Sequence, residues 1–105
     1  MIYRPEKYTK EYKRWVSLVI RRCKGKCVAC DRPSKCAHHI NGWNWCYALR
    51  YEPTNGVILC TGRKGKYGMG CHNHFHQLCG YGFNTEDQLR GYLALYHNKN
   101  LNDYL

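Results

Sequence analysis

Cys27-Val-Ala-Cys30 sets two thiols either side of a two-residue step, and no other feature limits the possible folds of this chain as strongly. Such a turn supplies two of the four ligands of a tetrahedral zinc site and must take the others from elsewhere in the sequence. The supply is ample, because the chain holds eight cysteines and six histidines. At 105 residues it reads as one domain, 1–105, whose apolar core is marginal unless metal or disulfides reinforce it. The N-terminal Met1-Ile2-Tyr3-Arg4-Pro5-Glu6-Lys7 lacks the apolar run of a secretory leader, and no stretch is long and apolar enough to span a membrane. The expectation is therefore a cytoplasmic, reducing setting, in which the thiols bind metal instead of pairing as disulfides.

Cys60 and Cys71 are the natural partners of Cys27 and Cys30. The first ends a strand-like run and the second opens a helix-like one. Together the four would tie the N-terminal part to the middle of the chain. The ten residues between Cys60 and Cys71 are many for a knuckle, which usually has about two to four. The glycines there would let the loop return on itself, and Cys79 is the alternative fourth ligand. Cys23, Cys36, Cys46 and Cys79 otherwise read as free thiols.

The charge points to the partner. Seventeen Lys and Arg face seven Asp and Glu, a formal net charge of +10. A surplus of this size exceeds what solubility needs and suits a polyanion, nucleic acid first. Arg50, in a connection that also carries Trp43 and Trp45, is a candidate nucleic-acid contact, with one of the two tryptophans expected in the core. Arg63, Lys64 and Lys66, on the glycine-rich loop 62–70, are candidate phosphate contacts.

Local signals give a coarse order of elements. Thr9 can cap a helix over about 10–23, with Tyr12, Trp15, Val16, Val19 and Ile20 as its apolar stripe. Cys36–Ile40 reads as a short strand and Val57–Cys60 as a second, separated by a long connection from Asn41 to Thr54. A helix follows from Cys71 to about Cys79, with Gly80 as its C-cap. Thr85-Glu-Asp-Gln88 fits a capping box opening a last helix, about 86–97. The tail from Asn98 to Leu105 reads as frayed.

The histidines fall where such a layout can use them. His72 and His76, four apart, share one helix face and can hold one ion. His38 and His39 are neighbours in a strand and point to opposite faces, so they take different tasks. His38 would complete a three-histidine site with His72 and His76. His39, with its ordinary pKa near neutrality, is left as a general base. His74 lies off the shared face and reads as a surface residue. Asn55, before Gly56, is on local grounds an ordinary turn residue.

Together, Cys27-x-x-Cys30, His38-His39-Ile40, Asn55-Gly56-Val57, Leu59-Cys60 and Cys71-His72-x-x-Phe75-His76 resemble the HNH endonuclease family, over roughly residues 12 to 97. Arg21-Arg22-Cys23 and Gly80-Tyr81-Gly82-Phe83-Asn84-Thr85 look like the small phage-encoded, free-standing homing-type members. The resemblance implies an α+β fold: a ββα-metal (His-Me finger) core with a four-cysteine zinc knuckle, about 27–80, and flanking helices. It implies metal-dependent hydrolysis of DNA, by nicking or double-strand cutting, leaving 5′-phosphate and 3′-hydroxyl ends. His39 then falls on the general base and Asn55 on the asparagine that orients it. His38, His72 and His76 fall on the ligands of the catalytic ion, and Cys27, Cys30, Cys60 and Cys71 on the structural zinc.

The expected cofactors are thus a structural Zn2+ and one catalytic divalent ion from among Mg2+, Mn2+, Ni2+ and Zn2+. Three imidazoles suit a transition metal better than magnesium. The partner is DNA, no membrane is involved, and the protein acts as a monomer or homodimer, in the host cytoplasm if phage-encoded. The alternative function is a non-catalytic, zinc-stabilised nucleic-acid-binding module. It would need the cysteines and the charge but not the histidines and Asn55.

Overall fold

Helix α1 runs Lys10–Arg22 and starts where the Thr9 hydroxyl accepts the Tyr12 N–H. The computed structural model describes residues 9–62 and 67–105. The expected stripe faces inward: Trp15 and Val19 are buried, and Tyr12, Val16 and Ile20 pack against the core. The helix ends because Lys24 and Gly25 both take positive φ, 57° and 65°, and Gly25 N–H turns back to the Ile20 carbonyl. The Cys27–Cys30 turn closes directly afterwards, with Asp31 N–H on Cys27 O and Cys27 N–H on Arg32 O.

Strands β1, Ala37–His39, and β2, Gly56–Ile58, pair antiparallel with His38 opposite Val57 and His39 opposite Gly56. Both are shorter than the sequence suggests. The pairing nevertheless runs on at each end through Ile40 N–H to Asn55 O and Leu59 N–H to Cys36 O. Val28 N–H donates to Ile58 O, which fixes the cysteine turn to the sheet. Helix α1 lies close over β2, and Gly56 makes the approach possible. A Cβ there would sit 2.5 Å from the Trp15 ring and 2.6 Å from Val19.

Helix α2, Cys71–Cys79, and helix α3, Glu86–His97, complete the α+β arrangement of three helices and a two-stranded sheet. The capping box forms as expected, with Thr85 Oγ1 accepting Gln88 N–H and the Gln88 side chain accepting Thr85 N–H. Phe75, Leu89 and Leu93 are fully buried. Among the described residues no helix is long and apolar enough to cross a membrane.

Two expectations need correction. The C-terminal tail is not frayed. Asn98 takes a left-handed cap conformation (φ 54°), and a single 3₁₀ turn, Leu101–Tyr104, follows. Leu101 is only 1% exposed. Tyr104 O accepts from Arg22 Nε at 2.8 Å, and the other guanidinium nitrogens donate to the Pro53 and Gly56 carbonyls. One arginine therefore joins α1, the entry to β2 and the C-terminus. His74 is also not a surface residue. It is buried, its Nδ1 lies 2.9 Å from Tyr92 Oη, and its ring stacks on Tyr67. Helix α3 covers the side of α2 that the sequence leaves to solvent.

Candidate metal centres

The first cluster joins three parts of the fold. Cys27 and Cys30 come from the turn after α1, Cys60 from just beyond β2, and Cys71 from the first residue of α2. Their sulfurs all lie within 4.8 Å of one another, with Cys30 and Cys60 at 3.5 Å. Around a zinc ion with bonds of about 2.3 Å, tetrahedral sulfurs stand roughly 3.8 Å apart, so the four are placed to hold such an ion with little movement. All eight cysteines are free of disulfides. Cys79, the alternative ligand, is not in the cluster. It lies at the far end of α2, roughly 12 Å along the axis.

The long gap before Cys71 closes because Gly70 sits directly against the chain it returns to. A Cβ on Gly70 would fall 2.6 Å from Thr61 Cα and 2.7 Å from Cys60 O. His72 N–H then donates to Cys60 O at 2.9 Å and Cys71 N–H to Cys60 Sγ at 3.3 Å. Whatever the intervening loop does, its two ends are clasped. Arg63, Lys64 and Lys66 lie outside the described residues.

Proton affinities within the cluster are split. A hydrogen bond from the Cys71 thiol, helped by backbone N–H groups, pulls Cys27 down to about 5. Cys71 is raised in return by that same bond and by burial. Burial chiefly raises Cys30 to about 11. Cys27, Cys30 and Cys71 thus favour one negative charge among themselves and resist a second, which suits a site for a cation.

The second cluster is His38, His72 and His76, whose ligand nitrogens also lie within 4.8 Å of one another. His72 Nε2 and His76 Nε2 are 3.1 Å apart, and His38 faces both rings at 5.3 Å between centroids. Two features suit metal binding. His76 Nδ1–H donates to Gly80 O at 2.8 Å, which leaves the lone pair on Nε2, the nitrogen directed into the cluster. His38 Nε2 is buried without a hydrogen-bond partner, a state that ordinarily costs about 1–3 kcal/mol. Burial, then the nearby His72 and His76, holds His38 well below the usual imidazole range and so neutral, as a ligand must be. The Cys36 thiol lies 3.8 Å from His72 Nδ1.

His39 points the other way, as neighbours in a strand do. Its ring lies parallel to the Trp15 indole at 3.8 Å and edge-on to Trp43 at 5.5 Å. Its Nε2 is 2.8 Å from the Arg50 carbonyl and must donate to it, so in the neutral ring Nδ1 is the basic nitrogen. The side chain of Asn55 does not touch His39. Its Oδ1 accepts from Asn41 N–H at 2.8 Å, and its Nδ2 donates to the Asn41 and Leu49 carbonyls at 3.0 Å. It thereby folds the long connection so that the next carbonyl, Arg50 O, meets His39. The Arg50 guanidinium is held between Trp43 and Tyr47, 4.2 Å from each ring, and donates to Trp43 O. Of the two tryptophans in this connection, Trp43 is the buried one.

His38, His39, His72 and His76 all line one cleft of about 250 Å3, together with Trp43, Asn44 and Tyr81. Sequence reasoning missed Trp15, which backs the His39 ring, and Tyr81, which lines the cleft against His76. The first was legible only as part of an apolar stripe and the second only as a loop tyrosine. Comparison with protein-family models, with curated proteins and with solved structures found no match to this chain.

Proposed function

We propose that this chain is an HNH-type, metal-dependent DNA endonuclease with a ββα-metal core. The observation that carries the reading is that the His38–His72–His76 cluster, with its unpartnered His38 nitrogen, opens on the same cleft as His39. In that reading His38, His72 and His76 hold a divalent ion, and Cys27, Cys30, Cys60 and Cys71 hold a structural zinc.

When bound, the ion would supply Lewis-acid stabilisation of the charge that develops on the phosphate. The residues of the chain do the rest. His39 Nδ1 takes a proton from a water as its oxygen bonds to phosphorus and the bond to the 3′ oxygen breaks. The departing 3′ oxygen ends as a hydroxyl by gaining a proton, and the phosphate remains on the 5′ end. Arg50 O fixes the tautomer that leaves Nδ1 basic, and Trp15 and Trp43 fix the ring plane. Asn55 is a positioning residue that acts through the Arg50 carbonyl. The +10 charge draws in the DNA.

A non-catalytic zinc-stabilised module would use the cysteines and charge equally well, but it leaves the histidine cluster without a purpose. Supercoiled plasmid incubated with Mg2+, Mn2+, Ni2+ or Zn2+, with wild type beside His39→Ala, decides between them. Metal-dependent conversion to open circles or linears by wild type alone is the expected result. Binding without cleavage under every ion would leave the module.

A further inference from the structure

The segment Gly80–Asn84 forms one lip of the cleft and is fixed at both ends. Gly80 O accepts from His76 Nδ1 at 2.8 Å and from Asn84 Nδ2 at 2.9 Å. Asn84 O accepts from Gly42 N–H at 2.9 Å and from Trp45 Nε1 at 2.7 Å. Asn84 itself is buried. Between these anchors the chain holds two large aromatic rings out in water. Tyr81 is 70% exposed and Phe83 76% exposed. Tyr81 is fixed in place, because one face of its ring lies parallel to the His76 imidazole at 4.2 Å. Other large apolar side chains are exposed, Leu95 and Tyr47 among them, but these two share one anchored segment at the cleft. Two rings displayed on an anchored loop beside the histidines mark a contact surface of low ordering cost.

We infer that Tyr81 and Phe83 are a stacking platform for unpaired nucleobases next to the phosphate that the histidines address. The proposed substrate is therefore DNA with an unpaired strand at the cut, in preference to continuous duplex. This rests on the endonuclease reading for the phosphate and deepens it by naming the state of the strand. Three observations favour a base as the occupant. The surrounding chain carries +10, which suits a polyanion and disfavours most protein surfaces. The platform adjoins a cleft lined by four imidazoles, so a strand crossing it passes its backbone and its bases over neighbouring groups. Exposed aromatic rings on a basic protein are a general means of gripping single strands, because every base has a π-face. In a continuous duplex those faces are already covered by neighbouring base pairs.

The test uses the zinc-loaded, full-length chain with no further divalent ion, so that binding is read without cleavage. Fluorescence anisotropy compares a labelled oligothymidylate, a fully paired duplex, and the same duplex with an unpaired stretch, at one salt concentration. The ligands with unpaired bases are expected to bind more tightly. Phe83→Ser is expected to weaken them by about ten-fold while leaving duplex binding and the urea midpoint unchanged. Tyr81→Phe, which keeps the ring, should bind as wild type does, and Tyr81→Ser should not. Equal affinity for paired and unpaired ligands, or Phe83→Ser binding unpaired strands at full strength, would overturn the inference. The two readings fail separately. A chain that grips unpaired strands and never cuts loses the nuclease, and one that cuts plasmid while Phe83→Ser is silent loses the platform.

Discussion

The indole of Trp15 lies flat against the imidazole of His39, with ring centroids 3.8 Å apart and planes 8° apart, and its Nε1 donates to Glu52 O at 2.7 Å. A helix that the sequence marks only as core is thus the back wall of the proposed base. Trp15→Leu is expected to cost about 3 kcal/mol of stability and to lower the cleavage rate beyond what partial unfolding explains. Trp15→Phe keeps a ring behind His39 and loses mainly the Glu52 bond. It should retain much more activity at a cost nearer 1 kcal/mol. Urea unfolding and single-turnover plasmid cleavage check the pair; equal rates in the two variants would remove the wall from the mechanism.

Asn55 is expected to act at a distance. Asn55→Ala frees the Asn41 and Leu49 carbonyls and so releases Arg50 O from His39. A displacement near 1 Å at a catalytic group can cost roughly 100-fold in rate. The expected split is a large fall in kcat with KM for DNA nearly unchanged. A variant that loses DNA affinity and keeps kcat would mean that Asn55 touches substrate.

Zinc binding should weaken in acid, with a definite sign. In the metal-free cluster Cys30 is raised to about 11 and Cys71 is raised as well, so both carry protons at neutral pH that zinc must displace. Affinity therefore falls as pH drops. Metal analysis should find one zinc per chain at the cysteines, and cobalt in its place should show thiolate charge-transfer bands that Cys30→Ser weakens. A pH-independent affinity would be incompatible with thiol ligands.

His38 makes the chain acid-sensitive when its own site holds no ion. Burial and the neighbouring His72, His76 and His39 keep its folded value well below the ordinary one. Below about pH 6.5 the unfolded chain takes up a proton there that the folded chain refuses, so this contribution to stability is lost as pH falls. His38→Leu should flatten the slope of unfolding free energy between about pH 6.5 and 5. It should also be no less stable than wild type at neutral pH, because it removes an unpartnered nitrogen. The comparison uses protein carrying zinc at the cysteines only, and an unchanged slope would place the acid sensitivity elsewhere.

Arg22 should be irreplaceable by lysine. Its planar head serves the Pro53, Gly56 and Tyr104 carbonyls at once, a fork that an ammonium on a flexible stem does not match. Arg22→Lys and Arg22→Ala are both expected to cost about 2–4 kcal/mol in urea unfolding. Full retention by Arg22→Lys would reduce the contact to simple charge.

Signals confined to a few residues were legible in the sequence. Thr9 and the Thr85/Gln88 pair cap the helices they announce, α2 runs from Cys71 to Cys79 as its spacing implies, and the opposed directions of His38 and His39 follow from strand geometry. The cysteine and histidine clusters were legible because metal ligation restricts which residue types can meet. What was hidden depends on partners far along the chain. Leu101 and Tyr104 look like a loose tail until Arg22, 82 residues earlier, reaches Tyr104 O. His74 looks solvated until α3 brings Tyr92 over it. Tyr81 looks like any loop tyrosine until His76 lies beneath it.

Cys71 and His72 share a peptide bond, so the last sulfur of one cluster and the second imidazole of the other cannot be positioned independently. The two clusters are therefore mechanically coupled. A metal seated by the sulfurs would hold the start of α2 and so steady its histidines over β1. Under the proposed function, losing an ion from the sulfurs would disturb the histidine cluster as well, so one depletion would reach both sites.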